Sequence, residues 1–352
     1  MNNLELLKML SEAFGPSGFE DDVRDKIRKI ITPLVDDVRV DPLGNLIATI
    51  NPGKDFTLLL DAHMDEIGFM VSHVEKNGFL HFSPIGGWDE RLLPALRVSI
   101  KTEEGKLFYG TVGSTPPHIQ SPEEQKAPMK ADDLFIDVGA ASSEEIEKMG
   151  IQVGDPVAPH AELLQMAGNT VMGKAFDDRA GCAVLIRVLE AFSKEAPDFT
   201  LRACFSVCEE VGLRGAKTAA FQIQPTVALA LEGTVAADTP GTPGHKNPTT
   251  MKKGPAVTVA DRSIIVHPKL ARFIKKTAAD LNIPYQIKTP SYGGTDAGAI
   301  HTAGAGALTG VISIPCRYIH SPNIIMNLDD FEQTVNLATE VARRSKAAYE
   351  SF

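Results

Sequence analysis

The chain reads as an α/β protein, a sheet sandwiched between helices and interrupted by a β-rich insertion. Three observations predict this. From about residue 165 to the end, helical and strand segments alternate, as they do when helices cover both faces of a sheet. Between about Gly68 and Pro159 the texture changes to short alternating runs joined by Gly-containing turns such as EKNG and TEEG. His63 precedes that block, whereas Asp177, Glu209, Glu210, Glu232 and His320, the other side chains of metal-ligand type in short motifs, all follow it. If these residues share one site, the block is an insertion. The main domain is then discontinuous, over residues 1–67 and 165–352, and residues 68–164 form a small inserted β-barrel or sandwich.

In order along the chain, residues 3–13 and 20–33 carry helical patterns, the second opened by the turn GPSG and closed before Pro33. Strand-like runs follow at 36–41, 45–50 and 57–62. The insertion offers five strands, at 69–74, 79–85, 96–102, 106–113 and 134–140, with one short helix over 142–150. The returning α/β pattern predicts helices at 177–192, 215–223, 269–281, 295–304 and 328–349. Between them lie strands at 200–207, 226–232, 256–261 and 307–313. Residues 237–255 are a loop rich in Pro, Gly and Thr, and loops of that length tend to be functional.

Composition excludes several classes. The chain has 352 residues, enough for two domains and a substantial core, with 43% hydrophobic residues. Its 45 acidic and 35 basic residues give a net charge of −10, and no basic run could follow a phosphate backbone, so nucleic acid is not an expected partner. No stretch approaches the roughly 20 apolar residues of a membrane span, and the N-terminus lacks the pattern of a signal peptide. A cytoplasmic protein is expected. Cys182, Cys204, Cys208 and Cys316 have no zinc-knuckle spacing and read as reduced thiols, mostly buried.

Five motifs carry the chemistry: DAHMDEIG with His63, KAFDDRAG with Asp177, VCEEVGLRGA with Glu209 and Glu210, ALEGT with Glu232, and CRYIHSP with His320. Most of them close an apolar run of strand character, so their acids and imidazoles emerge where strands leave a buried sheet, the edge at which α/β proteins bind ligands. That residue set suits two divalent cations, which together activate a nucleophile and stabilise an oxyanion in amide hydrolysis. Asp177, just before a helix start, is either a bridging carboxylate or an N-cap. Glu209 and Glu210 are adjacent acids that point in different directions, so one base and one ligand is the natural division. Glu209 is read as the general base that would take a proton from metal-bound water, and Glu210 as a ligand. In His-x-Asp, the carboxylate of Asp65 can accept the other imidazole N–H of His63 and fix its tautomer. The other seven histidines read as surface or packing residues, and His320 is singled out by its company. In SYGGTDAGAI, Thr295 and Asp296 either contact substrate or cap the following helix.

DAHMDEIGF, FDDRAG, CEEVGLRGA, GGTDAGAI and RYIHSP, in this order, resemble the tetrahedral aminopeptidases of metallopeptidase family forty-two, the glutamyl and deblocking aminopeptidases of clan MH. The resemblance spans essentially the whole chain. It implies a zinc-peptidase-like α/β/α sandwich with an inserted PDZ-like β-barrel domain that mediates dimerisation and assembly into a dodecamer. It also implies two divalent metal ions per subunit, Zn or Co with Mn possible, and short peptide substrates. Asp177 would bridge the metals, His63 and Glu232 would complete one site, and Glu210 and His320 the other. Glu209 would be the base and Asp65 the partner of His63. The position of Glu232 is often aspartate in that family. The longer acid keeps the charge but shifts ligand geometry and metal preference, and Asp238 is the nearest substitute.

Two other classes share parts of this pattern. A metal-dependent deacylase of N-acyl amino acids would use the same ligand set, but the insertion here is β-rich rather than alternating β and α. A non-enzymatic assembly scaffold would have no use for Glu209. A glycosidase is disfavoured, since no pair of isolated acids is flanked by aromatics and Trp88 is the single tryptophan. The expected function is therefore dinuclear metal-dependent aminopeptidase activity on short peptides.

Overall fold

The computed structural model describes residues 1–122, 129–288 and 293–352. Its main sheet is centred on four mutually parallel strands in the order Thr200–Ser206, Thr57–His63, Val227–Val235 and Leu308–Arg317. These are nearly continuous apolar runs, as expected for strands covered on both faces. Successive residues of one strand serve opposite cores. Leu58 and Leu60 join the large core with the helix Phe176–Phe192, while Leu59 between them joins Ala216, Ala219, Ala220 and Ile300 on the other side. The α/β/α sandwich expected from the sequence is therefore present. Antiparallel strands widen the sheet, with Leu46–Ile50 and Asp37–Val40 at one edge and Ile324–Asn327, Thr170–Gly173 and Leu164–Gln165 at the other.

The β-rich block closes into a barrel in the order Gly68–Val74, Leu80–Ile85, Phe135–Asp137, Leu107–Gly113, Arg97–Lys101 and Pro156–Pro159. Its interior is a separate core that includes Phe69, Val71, Phe82, Val98, Ile100 and Val157. Trp88 stacks on Phe69 at 4.6 Å between ring centroids and donates its indole N–H to the Gly68 carbonyl. The closing strand, Pro156–Pro159, is absent from the sequence reading. Proline at both ends removes two ladder donors and disguises it, yet Val157 pairs with Phe69 on one side and Ile100 on the other.

Other differences are of length. The first two helices are Asn3–Ser11 and Asp21–Ile31, shorter than 3–13 and 20–33, and a single 3₁₀ turn, Thr32–Leu34, accommodates Pro33. The strand expected at 307–313 runs on to Arg317, the one expected at 256–261 stops at Thr258, and within 295–304 the helix covers only Ala297–Ile300. The short strands Thr170–Gly173, Gln286–Lys288 and Ile324–Asn327 also escaped the sequence reading, because three or four residues carry no resolvable periodicity and their pairing is tertiary.

A buried ion cluster fastens the N-terminal segment beneath the motif residues. Glu66 pairs with Lys174 and, at 3.5 Å, with Arg179, all three nearly inaccessible. The Arg179 guanidinium also donates to the carbonyls of Met64, Leu10, Ala13 and Gly15. Removing the one acid leaves two enclosed cations without a counter-charge. Glu66→Ala is expected to destabilise the fold by about 3–5 kcal/mol, seen as a lower urea midpoint. An unchanged midpoint would contradict that account.

Candidate metal centre

The four parallel strands deliver the motif residues to one edge of the sheet. His63 is the last residue of its strand, Glu209 and Glu210 follow Ser206, and His320 follows Arg317. Glu232 lies within Val227–Val235 rather than at its end, so the strand continues past the site. Asp177 and Asp178 have non-helical backbone ahead of the long helix, and the peptide between them is cis.

The Asp177 carboxylate faces two imidazoles. Its Oδ1 lies 3.2 Å from His63 Nε2 and its Oδ2 3.5 Å from His320 Nε2. Glu210 Oε2 is 3.3 Å from the same His320 nitrogen, while Glu209 and Glu232 each bring an oxygen 3.9 Å from His63 Nε2. Thus His63, Asp177, Glu209, Glu210, Glu232 and His320, scattered over nearly 260 residues of sequence, converge. One ligand atom each from His63, Asp177 and Glu210 lies within 4.8 Å of the others, and the same holds for His63, Asp178 and Glu232. Asp178, however, is also engaged by three backbone N–H groups. Its Oδ1 accepts the N–H groups of Gly181 and Gly233, and its Oδ2 accepts that of His63. It pins the strand ends and helix start together, a role that its place beside Asp177 did not reveal.

The donor chemistry fits divalent cations. Glu232 Oε1 is enclosed without a hydrogen-bond partner among the described residues, an arrangement costly for a carboxylate unless a cation completes it. Burial pushes Glu232 and Glu209 well above the usual carboxylate range, helped by the acids around them and opposed by His63. Burial works against the charged His320 ring as well, yet the Asp177 and Glu210 carboxylates hold its pKa up at about 11. Crowding and burial thus favour the protonated forms of Glu209 and Glu232, while the facing carboxylates favour the charged His320 ring. Zinc-type sites use this mixture of imidazole and carboxylate ligands.

Asp65 organises the set and is itself completely buried. Its oxygens accept the Ser17 hydroxyl at 2.6 Å and the backbone N–H groups of Glu209 and Glu210 at 3.0 and 3.1 Å. The His63 Nδ1 lies 3.3 Å from Asp65 Oδ1 and 3.2 Å from the Asp65 carbonyl. Ser17 belongs to GPSG, which the sequence reading treated only as a turn; its link to Asp65 has no local signal. The other imidazole is oriented in the same way, by the Gly87 carbonyl 2.7 Å from His320 Nδ1. Gly87 belongs to the segment between two barrel strands, so the insertion contributes to the site.

Thr295 and Asp296 are buried, and neither side chain caps the helix that follows. Asp296 accepts the Ser206 hydroxyl at 2.7 Å, and Ser206 also reaches Asp61 at 3.3 Å. Among the described residues, Thr295 Oγ1 has no hydrogen-bond partner. Asp238, the possible substitute for Glu232, is taken by a two-bond pair with Arg317 at 2.8 and 2.7 Å. Ser291 and Tyr292 of the glycine-containing motif lie outside the described residues. No helix among the described residues is long and apolar enough to cross a membrane.

A sheet edge carrying this cluster of candidate metal ligands points to a metal-dependent hydrolase. The family model for the M42 glutamyl aminopeptidase matches residues 44–337, and the chain belongs to that family. It is similar to the lysyl aminopeptidase of Pyrococcus furiosus, with 34% identity covering 98% of both chains. Among solved structures, it is similar to a TET aminopeptidase from a marine sediment Thaumarchaeota archaeon, with 40% identity, a TM-score of 0.96, and coverage of 99% of this chain and 98% of that one. It is also similar to the TET1 peptidase of Pyrococcus horikoshii, described as assembling into a tetrahedron or a large octahedral shell. That likeness has 33% identity, a TM-score of 0.88, and coverage of 97% and 99%. The protein is thus a peptidase, a metal-dependent aminopeptidase.

Proposed function

We propose that the enzyme holds two divalent cations and removes N-terminal residues from short peptides, with Glu209 as general base. The observation that carries this is the Asp177 carboxylate, which turns one oxygen toward His63 and the other toward His320. In this reading Asp177 would be shared by the two cations, His63 and Glu232 would complete the hold on one, and Glu210 and His320 on the other. Zn or Co, with Mn as a further candidate, suits the donors. When bound, such ions supply Lewis acidity to the scissile carbonyl and to the attacking water. The chain's own residues do the rest. Asp65 holds the backbone of Glu209 and Glu210 in place, so that adjacent acids serve different tasks. Glu209, raised by burial, takes the proton from water and returns it to the leaving amine. Asp296 acts electrostatically on Glu209 and His63, and we assign it, with the adjacent Thr295, a supporting role at the substrate end.

The test is hydrolysis of free and N-acetylated aminoacyl anilides by metal-stripped protein restored separately with Zn, Co and Mn. Free-amine substrates alone should be cleaved, only after metal is restored, and metal uptake should release protons as the imidazoles and acids give up theirs. Cleavage of acetylated substrates alone would replace this reading with that of a deacylase.

We further propose that residues 68–164 form the assembly domain of a discontinuous catalytic unit, residues 1–67 and 165–352, and that subunits build a dodecamer from dimers. The likeness to a shell-forming peptidase supports this. Light scattering that gives a monomer at full activity would overturn it. Four free thiols suit the reducing cytoplasm, the expected location.

A further inference from the structure

The segment that leaves the His63 strand orients one imidazole directly, since Asp65 lies against His63 Nδ1. Further on it reaches the second imidazole by a longer route. Gly68 opens the first barrel strand and pairs with Ile85 at the end of the second, so the turn over residues 86–88 begins beside it. That turn lies against both residues proposed to hold the second cation. Gly86 has a φ of +81°, and a Cβ there would fall 2.6 Å from Ile67 Cγ2 and 3.4 Å from Glu210 Cβ. A Cβ on Gly87 would fall 3.2 Å from His320 Nδ1, the nitrogen that donates to the Gly87 carbonyl at 2.7 Å. Glycine at both positions permits this close approach.

Trp88 ties the turn down. Its indole N–H donates to the Gly68 carbonyl at 3.0 Å, and its ring stacks on Phe69 with 4.6 Å between centroids and 19° between planes. Gly68 is a fixed point, because a Cβ there would come within 2.6 Å of the Val157 carbonyl oxygen and 2.9 Å of Pro16 Cβ. The turn is thus bound back to the segment that carries His63 and Asp65, and the carbonyl of Gly87, the residue before the anchor, inherits that placement. Packing alone does not account for the residue type. Trp88 lies against the barrel core rather than within it, where another apolar side chain would cover much of the same surface. What the indole adds is the N–H bond.

We propose that Trp88 is a positioning residue for the cation assigned to Glu210 and His320, fixing the Gly87 carbonyl to which His320 donates. The proposal rests on the two-cation reading. A ligating imidazole is held in tautomer and direction by the acceptor at its other nitrogen, and a displaced acceptor leaves the ring free to turn. His63 has its own such partner in Asp65, so the two cations respond differently to a change at Trp88.

The test is Zn uptake by the metal-stripped full chain, followed by titration calorimetry and by competition with a chelator. The unmodified protein should take up two ions per subunit. Trp88→Phe keeps an aromatic ring beside Phe69 but has no N–H. It should weaken one ion by about 10- to 100-fold, the effect of losing an outer partner of a ligating histidine, and leave the other unchanged. Gly87→Ala, which crowds His320 without altering Trp88, should weaken the same ion. That ion should be the one Glu210→Gln loosens, so adding Trp88→Phe to Glu210→Gln should not change the affinity of the ion that remains. A merely structural role would instead lower the urea midpoint and loosen both ions alike. Either that pattern or normal uptake of both ions by Trp88→Phe would overturn the proposal. Trp88 is the single tryptophan, so its emission gives a readout in the unmodified protein. It should change with one of the two uptake steps, and emission indifferent to both would also overturn the role. Uptake of a single ion by the unmodified protein would bring down the two-cation reading, and this role for Trp88 with it.

Discussion

Glu209→Gln is expected to lower kcat by about 10²–10⁴-fold while leaving the fold and metal content intact. The two side chains have nearly the same shape, and the N–H of residue 209 still donates to Asp65 Oδ1. What disappears is a carboxylate that can accept a proton. Glu209 sits beside His63, Glu210 and Glu232, and both burial and like charge raise its proton affinity, which suits a group that must hold a proton briefly. The neighbouring variant, Glu210→Gln, provides the contrast. Glu210 lies 3.3 Å from His320, so its loss should appear first as weaker metal retention, with activity partly recovered at high metal concentration. Steady-state rates, together with metal content by elemental analysis, separate the two. A Glu209→Gln protein with more than a tenth of normal turnover would remove the base assignment.

Much of this candidate site was legible because most of its residues lie at or near the end of an apolar strand, and such runs announce the sheet edge to which ligands come. His63, Glu209, Glu210, Glu232 and His320 could therefore be picked out one motif at a time. What joins the motifs was less visible. Ser17 lies 48 positions from Asp65, and Gly87 lies 233 from His320; contacts at such separations follow from the fold, not from any local pattern. Prolines hid the closing barrel strand, although the hairpins around it were plain.

Asp65→Ala is expected to be the most disruptive substitution outside the proposed ligands, because one carboxylate serves four donors. Its removal leaves the Ser17 hydroxyl and the N–H groups of Glu209 and Glu210 without partners, and frees the His63 ring to turn. Breaking a buried charged network of this kind costs roughly 3–5 kcal/mol in stability. Ser17→Ala, which removes a single donor and leaves Asp65 its other partners, should cost only about 1 kcal/mol. Burial acts to raise the pKa of Asp65, but the His63 ring, the Ser17 hydroxyl and the Glu209 N–H hold it below the usual range. A carboxyl lowered in the folded state contributes its full stability above the ordinary carboxylate pKa and loses it as the pH falls through the folded value. The unmodified protein should therefore lose more stability on acidification than Asp65→Ala does. Structural damage alone would not move metal affinity once the variant is folded, but a lost orienting partner should weaken it by about 10- to 100-fold. Competition with a chelator, performed where the variant is fully folded, reads that quantity directly. Normal affinity there would reduce Asp65 to a packing element and leave the orientation of His63 to the Asp65 carbonyl alone.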